Sequence, residues 1–434
     1  MSRKLIVLSV DAMVSEDVEK LKKMPNTRRY MPKPAEIKRV RTIYPTITYP
    51  VHTAIATGCY ADKTGVFSNN VVEPGRKSSG KWQWFHDSVK VPDIFTAAKR
   101  KGLTTAAVFW PVTGNHPDID WNIDEYWTQS DIPGDTLHDA MARSGSTPEV
   151  LDIVDKYEPL IRGHQRQHPY ADDFVMYCAC EMITRFKPDL LMIHPANIDS
   201  YRHGFGLWND EVDRGIMEAD DWIGMLVRAM KTAGTYDETD LAVISDHGQI
   251  DITRNISINS VFVREGLIRL DDKGDIASWD AWVMSGGTSA WCFLRDPGDK
   301  AVYDRVYGLL KELVAAGVYG ISEVMTTEEA EKRERLSGPF SFVLETDGYT
   351  SFGEKLTMPY ASSFDITDYR YGHATHGHLP DKGPQPVFLA SGPSFRENVC
   401  VERRPIVDET ATFAKILGLD MPGIDGVPVD ELLK

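Results

Sequence analysis

Short apolar runs alternate with longer amphipathic segments along most of the chain. The run at residues 4–10, KLIVLSV, is rich in branched aliphatic side chains and is typical of a strand buried on both faces. Similar runs predict strands at 104–110, 189–194, 240–244 and 386–391, and amphipathic stretches predict helices at 51–58, 91–102, 170–186, 210–234 and 406–417. This alternation predicts an α/β fold in which a doubly wound, mostly parallel sheet carries helices on both faces.

Two stretches interrupt the alternation. Residues 116–168 are polar and irregular, which predicts an insertion with short helices. Residues 257–368 are rich in charge, glycine and short strand-like runs, which predicts a second insertion that forms a smaller cap. The chain is therefore expected to consist of an α/β core at 1–256 and 369–434 and an inserted cap subdomain at 257–368.

Polar residues of the kinds that bind metals follow three of the predicted strands. Asp11 follows the first strand, Asp199 and His203 follow the strand at 189–194, and Asp246 and His247 follow the strand at 240–244. Ligands of open parallel sheets bind at this carboxyl edge. Asp199 and His203, four apart, share one face if the chain is helical there. Each residue alone is also common as a turn or cap residue, so the argument depends on the whole set.

Three further histidines, His373, His376 and His378, lie among glycines near the end of the chain. Carboxylates and imidazoles together suit zinc or a similar divalent ion. One of these histidines completes a set of ligands for two divalent ions, together with Asp11, Asp199, His203, Asp246 and His247. Such a pair, about 3.5–4 Å apart, holds a phosphoryl group during in-line displacement.

Thr48 precedes the predicted helix at 51–58, in the sequence TITYPVH. A hydroxyl at a helix start lies beside free N–H groups and the positive end of the helix dipole, which favours an anion such as phosphate. Threonine at this place is also a common helix cap. Beside a divalent ion, however, the hydroxyl would lose its proton more easily and become a nucleophile. Asn69 would then donate from its amide to a phosphoryl oxygen.

Composition excludes several classes of partner. A net charge of −16 over 434 residues argues against a surface that coats nucleic acid, although metal ions would still permit a small anionic substrate. No apolar run reaches the ~20 residues of a membrane span, so no membrane association is expected. Five scattered cysteines imply no disulfide framework, and no signal-peptide pattern precedes the first strand. A cytoplasmic protein is expected, and its oligomeric state is left open.

Three residues near these motifs are candidates for substrate binding. Trp82 and Trp84 lie in a polar, glycine- and serine-rich stretch, where they form either a wall for a planar group or a local anchor. Arg202, between Asp199 and His203, either meets a second negative charge of the substrate or points to solvent.

Taken together, the motifs resemble the nucleotide pyrophosphatase/phosphodiesterase (type I phosphodiesterase) family of the alkaline phosphatase superfamily. The resemblance spans nearly the whole chain and rests on these stretches: Val10-Asp11, Pro45-Thr-Ile-Thr48-Tyr-Pro-Val-His52, Thr57-Gly-Cys-Tyr60, Gly65-Val-Phe-Ser-Asn69, Asp199 to His203, Ser245-Asp-His-Gly248, His376-Gly377 and Asp425-Gly426. The resemblance implies an alkaline-phosphatase-like core with the inserted cap.

The resemblance also assigns the ligands. It implies one ion held by Asp199, His203 and His376, and another held by Asp11, Asp246, His247 and the oxygen of Thr48. The nucleophile of the family precedes an aromatic-Pro-x-His step, which selects Thr48 over Thr46. Its last metal histidine is followed by glycine, which selects His376.

The expected function is therefore a metal-dependent hydrolase of phosphate esters. The first expectation is a phosphodiesterase or nucleotide pyrophosphatase with two divalent ions, zinc before manganese or another ion, and a covalent phospho-threonine intermediate. The alternatives are a phosphonoacetate-type C–P hydrolase and a phosphomonoesterase, which use the same kinds of metal ligands. A non-catalytic sensor of phosphate ligands is the alternative from a different class. The expected partner is a small phosphate ester or phosphonate.

Overall fold

The computed structural model describes residues 3–76 and 81–434, so part of the predicted loop at 71–90 lies outside the described residues. The strands are β1 (Lys4–Ser9), β2 (Ala35–Arg41), β3 (Thr105–Val108), β4 (Trp121–Ile123), β5 (Leu190–Ile193), β6 (Thr239–Ile244), β7 (Ile250–Asp251), β8 (Arg254–Ser257), β9 (Ile268–Leu270), β10 (Ile276–Trp279), β11 (Ala281–Ser285), β12 (Ser289–Leu294), β13 (Ile321–Thr326), β14 (Phe342–Thr346), β15 (Thr350–Gly353), β16 (Ala361–Ser362), β17 (Ala374–Thr375), β18 (Phe388–Ser391) and β19 (Cys400–Pro405).

The α-helices lie mostly between these strands. They are α1 (Ser15–Leu21), α2 (Pro25–Tyr30), α3 (Thr48–Thr57), α4 (Ala61–Thr64), α5 (Ile94–Arg100), α6 (Leu137–Arg143), α7 (Pro148–Ile161), α8 (Tyr170–Phe186), α9 (Asn197–Phe205), α10 (Asp210–Ala233), α11 (Ile258–Arg264), α12 (Lys300–Ala316), α13 (Thr327–Glu334) and α14 (Val407–Leu417). Short 3-10 turns lie at His86–Ser88, Tyr236–Glu238, Tyr369–Tyr371, Pro380–Lys382 and Asp430–Leu432.

The central sheet has the order β19-β2-β18-β6-β1-β5-β3-β4. The pairs that β1 forms with β5 and β6 are parallel, and β18 alone in this sheet runs antiparallel to both of its neighbours. The side chains of β1 alternate between two hydrophobic clusters, with Leu5 and Val7 in one and Ile6 and Leu8 in the other. Because both faces of the strand are buried, its sequence is a continuous apolar run and does not alternate between apolar and polar residues. The predicted doubly wound α/β fold is confirmed.

The predicted helix behind Thr48 begins earlier than expected. It starts at Thr48 itself, so that Pro50 lies within its first turn. Proline is tolerated there because the N–H groups of the first turn have no partner within the helix. The helix ends at Gly58, whose φ of 67° provides the left-handed cap. The hydroxyl of Thr48 is consequently fixed at a helix start.

The predicted cap contains a second sheet, with the order β11-β12-β14-β13 and antiparallel pairing. Trp282 and Trp291 of this sheet are buried, and the ring of Trp291 lies 5.2 Å from that of Phe67. Both tryptophans belong to the same hydrophobic cluster as Leu5 of the central sheet. This sheet therefore packs onto one side of the core, and the boundaries 257 and 368 stay a prediction.

Two further properties concern the length of the helices and the state of the cysteines. Among residues 3–76 and 81–434, no helix is both long and apolar enough to cross a membrane. The five cysteines are free thiols. The cytoplasmic location stays a prediction.

Candidate active site

Three neighbouring strands deliver the predicted metal ligands to one edge of the sheet. In the order β6-β1-β5, Asp246 and His247 follow β6, Asp11 follows β1, and Asp199 lies in the first turn of α9 after β5. Because these strands are parallel neighbours, their carboxyl ends lie side by side. The candidate ligands are therefore brought together at the centre of the sheet.

Asp199, His203 and His376 form a first group, whose ligand atoms lie within 4.8 Å of one another. The Nε2 atom of His203 is 3.1 Å from Oδ2 of Asp199. The Nδ1 atom of His203 donates to the carbonyl of Ala374 at 2.7 Å, so the lone pair of Nε2 faces the carboxylate. Two lone pairs in such contact repel unless a proton or a cation lies between them. A hydrogen bond from the outer nitrogen is also the usual support of a metal-binding histidine.

Asp11, Asp199 and His247 form a second group under the same distance limit, so Asp199 belongs to both groups. The Nε2 atom of His247 is 3.1 Å from Oδ2 of Asp246 and 3.3 Å from the hydroxyl of Thr48. Oδ1 of Asp11 and Oδ2 of Asp246 are buried and accept no hydrogen bond from the described residues. Buried oxygens without partners are rare and costly, and a divalent cation would satisfy both.

The charges at the site point to the same conclusion. Burial raises the pKa of Asp246 well above its ordinary value, and the carboxylate of Asp11 raises it further. Burial raises the pKa of Asp11 as well, with Asp199 adding to the shift. Burial lowers the pKa of His247 well below its ordinary value. Crowded carboxylates beside neutral imidazoles are the donor set that a divalent cation stabilises.

Of the three late histidines, only His376 joins a ligand group among the described residues. His373 is exposed and lies against the ring of Phe364, whereas His378 is buried and donates from Nδ1 to the carbonyl of Leu379. Gly377 adopts a φ of 108°, and a Cβ atom on it would lie 2.1 Å from the carbonyl oxygen of Gly286. Only glycine fits behind His376, which is the physical reason for the His-Gly step.

Gly248 directly follows Asp246 and His247. Adjacent side chains of an extended chain diverge, and a glycine with a left-handed backbone would permit a sharp turn that brings both onto one metal. The φ of Gly248 lies outside the left-handed region, but a Cβ atom would lie 2.3 Å from the carbonyl oxygen of Pro384. The glycine is needed for close packing against that neighbouring segment, not for an unusual backbone angle.

Thr48 and Asn69 lie together beside these groups. Thr48 is 7% exposed, and Oδ1 of Asn69 accepts a hydrogen bond of 2.8 Å from the N–H of Tyr49. Because its oxygen is engaged at the helix start, the amide nitrogen of Asn69 is the end free to donate to a ligand. Both residues line the cavity described next.

A cavity of about 470 Å³ opens onto the site. Its wall includes the following predicted residues: Asp11, Thr48, Asn69, Trp82, Asp199, His203 and His376. Its wall also includes these residues, which were not predicted: Phe109, Glu125, Trp127, Arg166, His168, Asp172, His194 and Tyr369. Several of them come from the insertion at 116–168, whereas the predicted cap contributes only residues 366–368.

A sequence profile identifies the family. The profile described as type I phosphodiesterase / nucleotide pyrophosphatase matches residues 5–359, which is more than half of the chain. The chain belongs to this family. Members of this family are phosphoric ester hydrolases that depend on divalent metals, and the ligand groups of this chain fit that requirement.

Named relatives extend this result. Mouse ectonucleotide pyrophosphatase/phosphodiesterase family member 1 is 28% identical over 214 residues, which cover 49% of this chain and 20% of that protein. The bis(5'-adenosyl)-triphosphatase of Xenopus laevis is 21% identical over 423 residues, covering 96% of this chain and 78% of that protein. The chain thus spans about a fifth of the mouse relative.

A solved structure matches the whole fold. Murine ectonucleotide pyrophosphatase/phosphodiesterase 5, as an inactive threonine-to-alanine variant in complex with AMP, matches with a TM-score of 0.69 and 18% identity, covering 100% of both chains. At this identity the match establishes the fold alone.

Two of the predicted substrate residues lie away from the cavity. Arg202 is fully buried and binds Asp17 at 2.8 Å and the carbonyl of Ala12 at 3.0 Å, so it reaches neither substrate nor solvent. Trp84 packs edge-on against Tyr126 at 4.9 Å and does not line the cavity. Trp82 does line it, beneath the guanidinium of Arg166 at 5.2 Å.

Arg202 forms a buried ion pair with Asp17 and does not bind substrate. This ion pair supports a prediction about stability. We expect Arg202→Met to lower the free energy of unfolding by about 3–5 kcal/mol, because Asp17 would be left charged and unpaired in the interior. Chemical denaturation measures the change. Arg39→Met removes an exposed pair with Glu402 and is the matched control, with an expected loss below ~1 kcal/mol. An equal, small loss in both variants would contradict the prediction.

His194 is a residue that the sequence analysis missed despite an available signal. It directly follows β5, and its Nε2 lies 3.1 Å from Oδ2 of Asp11 while its Nδ1 lies 3.2 Å from the carbonyl of Phe109. Its position at a strand end is the same signal that selected Asp11. The residues of the insertion had no such signal, because no periodic element surrounds them.

A third group with metal-ligand distances lies outside the cavity, at His86, Asp93 and His116. Nδ1 of His116 accepts the N–H of Asp118, so Nε2 must carry the proton that it shares with Oδ2 of Asp93 at 2.8 Å. No lone pair of His116 is then left for a cation. We interpret this group as a structural hydrogen-bond network.

Proposed function

We propose that the protein is a metal-dependent phosphodiesterase in which Thr48 attacks the phosphorus of the substrate. The observation that carries the proposal is the position of the Thr48 hydroxyl, at the start of α3 and 3.3 Å from Nε2 of His247. It lines the same cavity as Asp11, Asp199, His203 and His376 of the two ligand groups.

The residues divide into two metal sites. Asp199, His203 and His376 would hold one ion, and Asp11, Asp246, His247 and Thr48 the other. Zinc suits this mixture of imidazole and carboxylate ligands. Two such ions supply positive charge that lowers the pKa of a bound hydroxyl and stabilises phosphoryl oxygens.

The protein's own groups carry out the displacement. Thr48 loses its proton, its oxygen forms a bond to phosphorus, and the bond to the leaving oxygen breaks with the electron pair on that oxygen. The N–H groups of the first turn of α3 and the amide of Asn69 donate to the phosphoryl oxygens. Water then hydrolyses the phospho-threonine and restores the hydroxyl.

The cavity favours diesters over monoesters. Trp82, Phe109 and Trp127 provide apolar surface for a second ester group, whereas Glu125 and Asp368 add negative charge that repels a dianion. Nucleotide diesters fit this description, as does a pyrophosphate bond between nucleotides. A phosphomonoesterase, a C–P hydrolase and a non-catalytic sensor are the outcomes that the next experiment separates.

We expect the zinc-loaded protein to hydrolyse an aryl phosphodiester with a kcat/KM about tenfold or more above that of the matching monoester, a difference of about 1.4 kcal/mol. Trp82→Ala should reduce this preference because it removes apolar wall. Trp84→Ala is the matched control and should leave the preference unchanged. Initial-rate kinetics on both esters and on phosphonoacetate measure the outcome.

Three results would contradict the diester proposal. A preference for the monoester that disappears in Arg166→Gln would identify a phosphatase that uses this guanidinium. Turnover of phosphonoacetate alone would identify a C–P hydrolase. Binding of zinc without turnover of any ester would favour the sensor.

A further inference from the structure

A buried histidine–aspartate pair in the cavity wall has no role in the displacement described above. Nδ1 of His168 lies 2.7 Å from Oδ2 of Asp172, and Oδ1 of Asp172 accepts the N–H of Ala196 at 2.8 Å. Asp172 is 1% exposed and the side chain of His168 is 16% exposed. Because both carboxylate oxygens are engaged, Asp172 fixes the orientation of the imidazole ring.

This arrangement leaves one nitrogen of His168 free. Nδ1 points to the carboxylate and carries a proton, and no other described residue forms a hydrogen bond with Nε2. Both residues of the pair line the cavity that contains Thr48 and Asp199. Nε2 is therefore the nitrogen that a substrate in this cavity can reach.

The surroundings of the pair favour a protonated ring. Burial lowers the pKa of His168, but the acidic groups around the ring, Asp172 first among them, together outweigh burial and raise the pKa above its ordinary value. Asp172 lies on α8 and Glu125 in the segment after β4, so acidic groups from two different elements act on the ring. The Nε2–H group is thus available as a donor near neutral pH.

The other histidines of the cavity are occupied. Both nitrogens of His194 are engaged, one with Asp11 and one with the carbonyl of Phe109. His203 and His376 belong to a metal group. His168 alone among the cavity histidines of the described chain combines a free ring nitrogen with a fixed orientation.

We propose that His168 is the general acid of the reaction and that Asp172 is its positioning residue. As the bond between phosphorus and the leaving oxygen breaks, the electron pair moves to that oxygen and Nε2–H of His168 donates its proton to it. The neutral imidazole then accepts a proton from the water that hydrolyses the phospho-threonine, which restores the starting state. This inference rests on the function proposed above.

A general acid matters most for leaving groups that are poorly stabilised as anions. General acid catalysis contributes about 10²–10⁴-fold, and the contribution falls when the leaving anion is stable by itself. p-Nitrophenolate is a stable anion, whereas phenolate is more basic, with a pKa near that of tyrosine, about 10. Removal of His168 should therefore change the dependence of the rate on the leaving group, which a purely structural role would not.

The test compares two diesters, methyl p-nitrophenyl phosphate and methyl phenyl phosphate, on the zinc-loaded full-length protein. In His168→Gln, kcat/KM, which reports the steps up to loss of the leaving group, should fall about 10²-fold or more for the phenyl ester and less than about tenfold for the nitrophenyl ester. His164→Gln is the matched control, because His164 lies on the same loop, bonds to Gln167 and does not line the cavity. It should behave as the wild type on both esters.

A second variant tests the positioning role. Asp172→Asn keeps an acceptor for the N–H of Ala196 but removes the charge that holds the proton on His168. The pH at which kcat/KM declines on the alkaline side should therefore move to lower pH, since a lower pKa means that the acid form is lost earlier.

The outcomes are distinguishable. An equal loss on both esters in His168→Gln, or an unchanged alkaline limb in folded Asp172→Asn, would overturn the general-acid role while the proposed function stands. A wild-type protein that binds zinc but hydrolyses neither ester would overturn the proposed function itself. If circular dichroism shows that His168→Gln does not fold, the pH profile of Asp172→Asn decides whether His168 is the general acid.

Discussion

Thr48→Ala is expected to lower kcat/KM for an aryl phosphodiester by about 10³-fold or more, because the attacking oxygen is removed. The side chain is small and lies at the start of α3, so the fold should persist, and Asp11, Asp246 and His247 should still bind metal. Steady-state kinetics measure the loss, and elemental analysis measures the metal content. A phosphorylated threonine trapped by rapid acid quench of the wild type, and absent from the variant, would identify the nucleophile directly.

Two variants serve as controls for this prediction. Thr48→Ser keeps a hydroxyl and should retain a large part of the activity. Thr46→Ala should act mainly on stability, because the hydroxyl of Thr46 donates to the carbonyl of His378 and accepts the N–H of Gly377, which are both buried contacts. A much larger loss of activity in Thr46→Ala than in Thr48→Ala would place the nucleophile two residues earlier and refute this assignment.

The ligands that follow strands could be predicted from the sequence, and the reason is general. Asp11 and Asp246 each follow a run of apolar residues, and parallel strands end at the same edge of a sheet. The order β6-β1-β5, which makes these ends adjacent, is a tertiary property that no local pattern contains. The fold could nevertheless be predicted because a small number of topologies satisfy an alternating α/β pattern, whereas the assignment of the metal ligands stays a prediction.

The wall of the cavity could not be predicted in the same way. Arg202 lies between two candidate ligands in the sequence, yet its guanidinium binds Asp17, 185 residues away. His168 and Asp172 lie where the irregular insertion meets α8, and nothing in that stretch indicates that they line the same cavity as Thr48. Side-chain direction in such segments depends on packing between distant parts of the chain, which periodicity does not describe.

The predicted cap is a further example. Its short strand-like runs indicated a separate unit, and they do form a second sheet. Trp291 of that sheet, however, packs against Phe67 of the core, and the cap contributes only residues 366–368 to the cavity wall. Composition therefore predicts an inserted segment but not the surface on which it packs.

Removal of metal should abolish activity, and this is the prediction that tests the site as a whole. Treatment with EDTA should leave no measurable turnover of the aryl diester. Zinc should restore turnover with about two ions bound per chain, one for each of the two ligand groups that share Asp199. The metal-free protein should also melt at a lower temperature, since an ion that binds only the folded state stabilises it. Without the ions, Asp11 and Asp246 are crowded, buried acids whose charged forms are disfavoured, which adds to this loss.

A pair of histidines from one segment provides the matched control for the metal prediction. His376→Ala should lose about one ion per chain and nearly all activity, whereas His373→Ala should lose neither, because His373 is exposed and lies against Phe364 outside the ligand groups. Elemental analysis and kinetics on both variants measure the difference. Full turnover by a metal-free preparation would refute the two-ion mechanism, and equal metal loss in both variants would mean that the segment, not the His376 side chain, determines binding. The group of Asp199, His203 and His376 depends on His376 because the two histidines contact different oxygens of Asp199. Nε2 of His376 lies 3.8 Å from Oδ1, whereas Nε2 of His203 lies 3.1 Å from Oδ2.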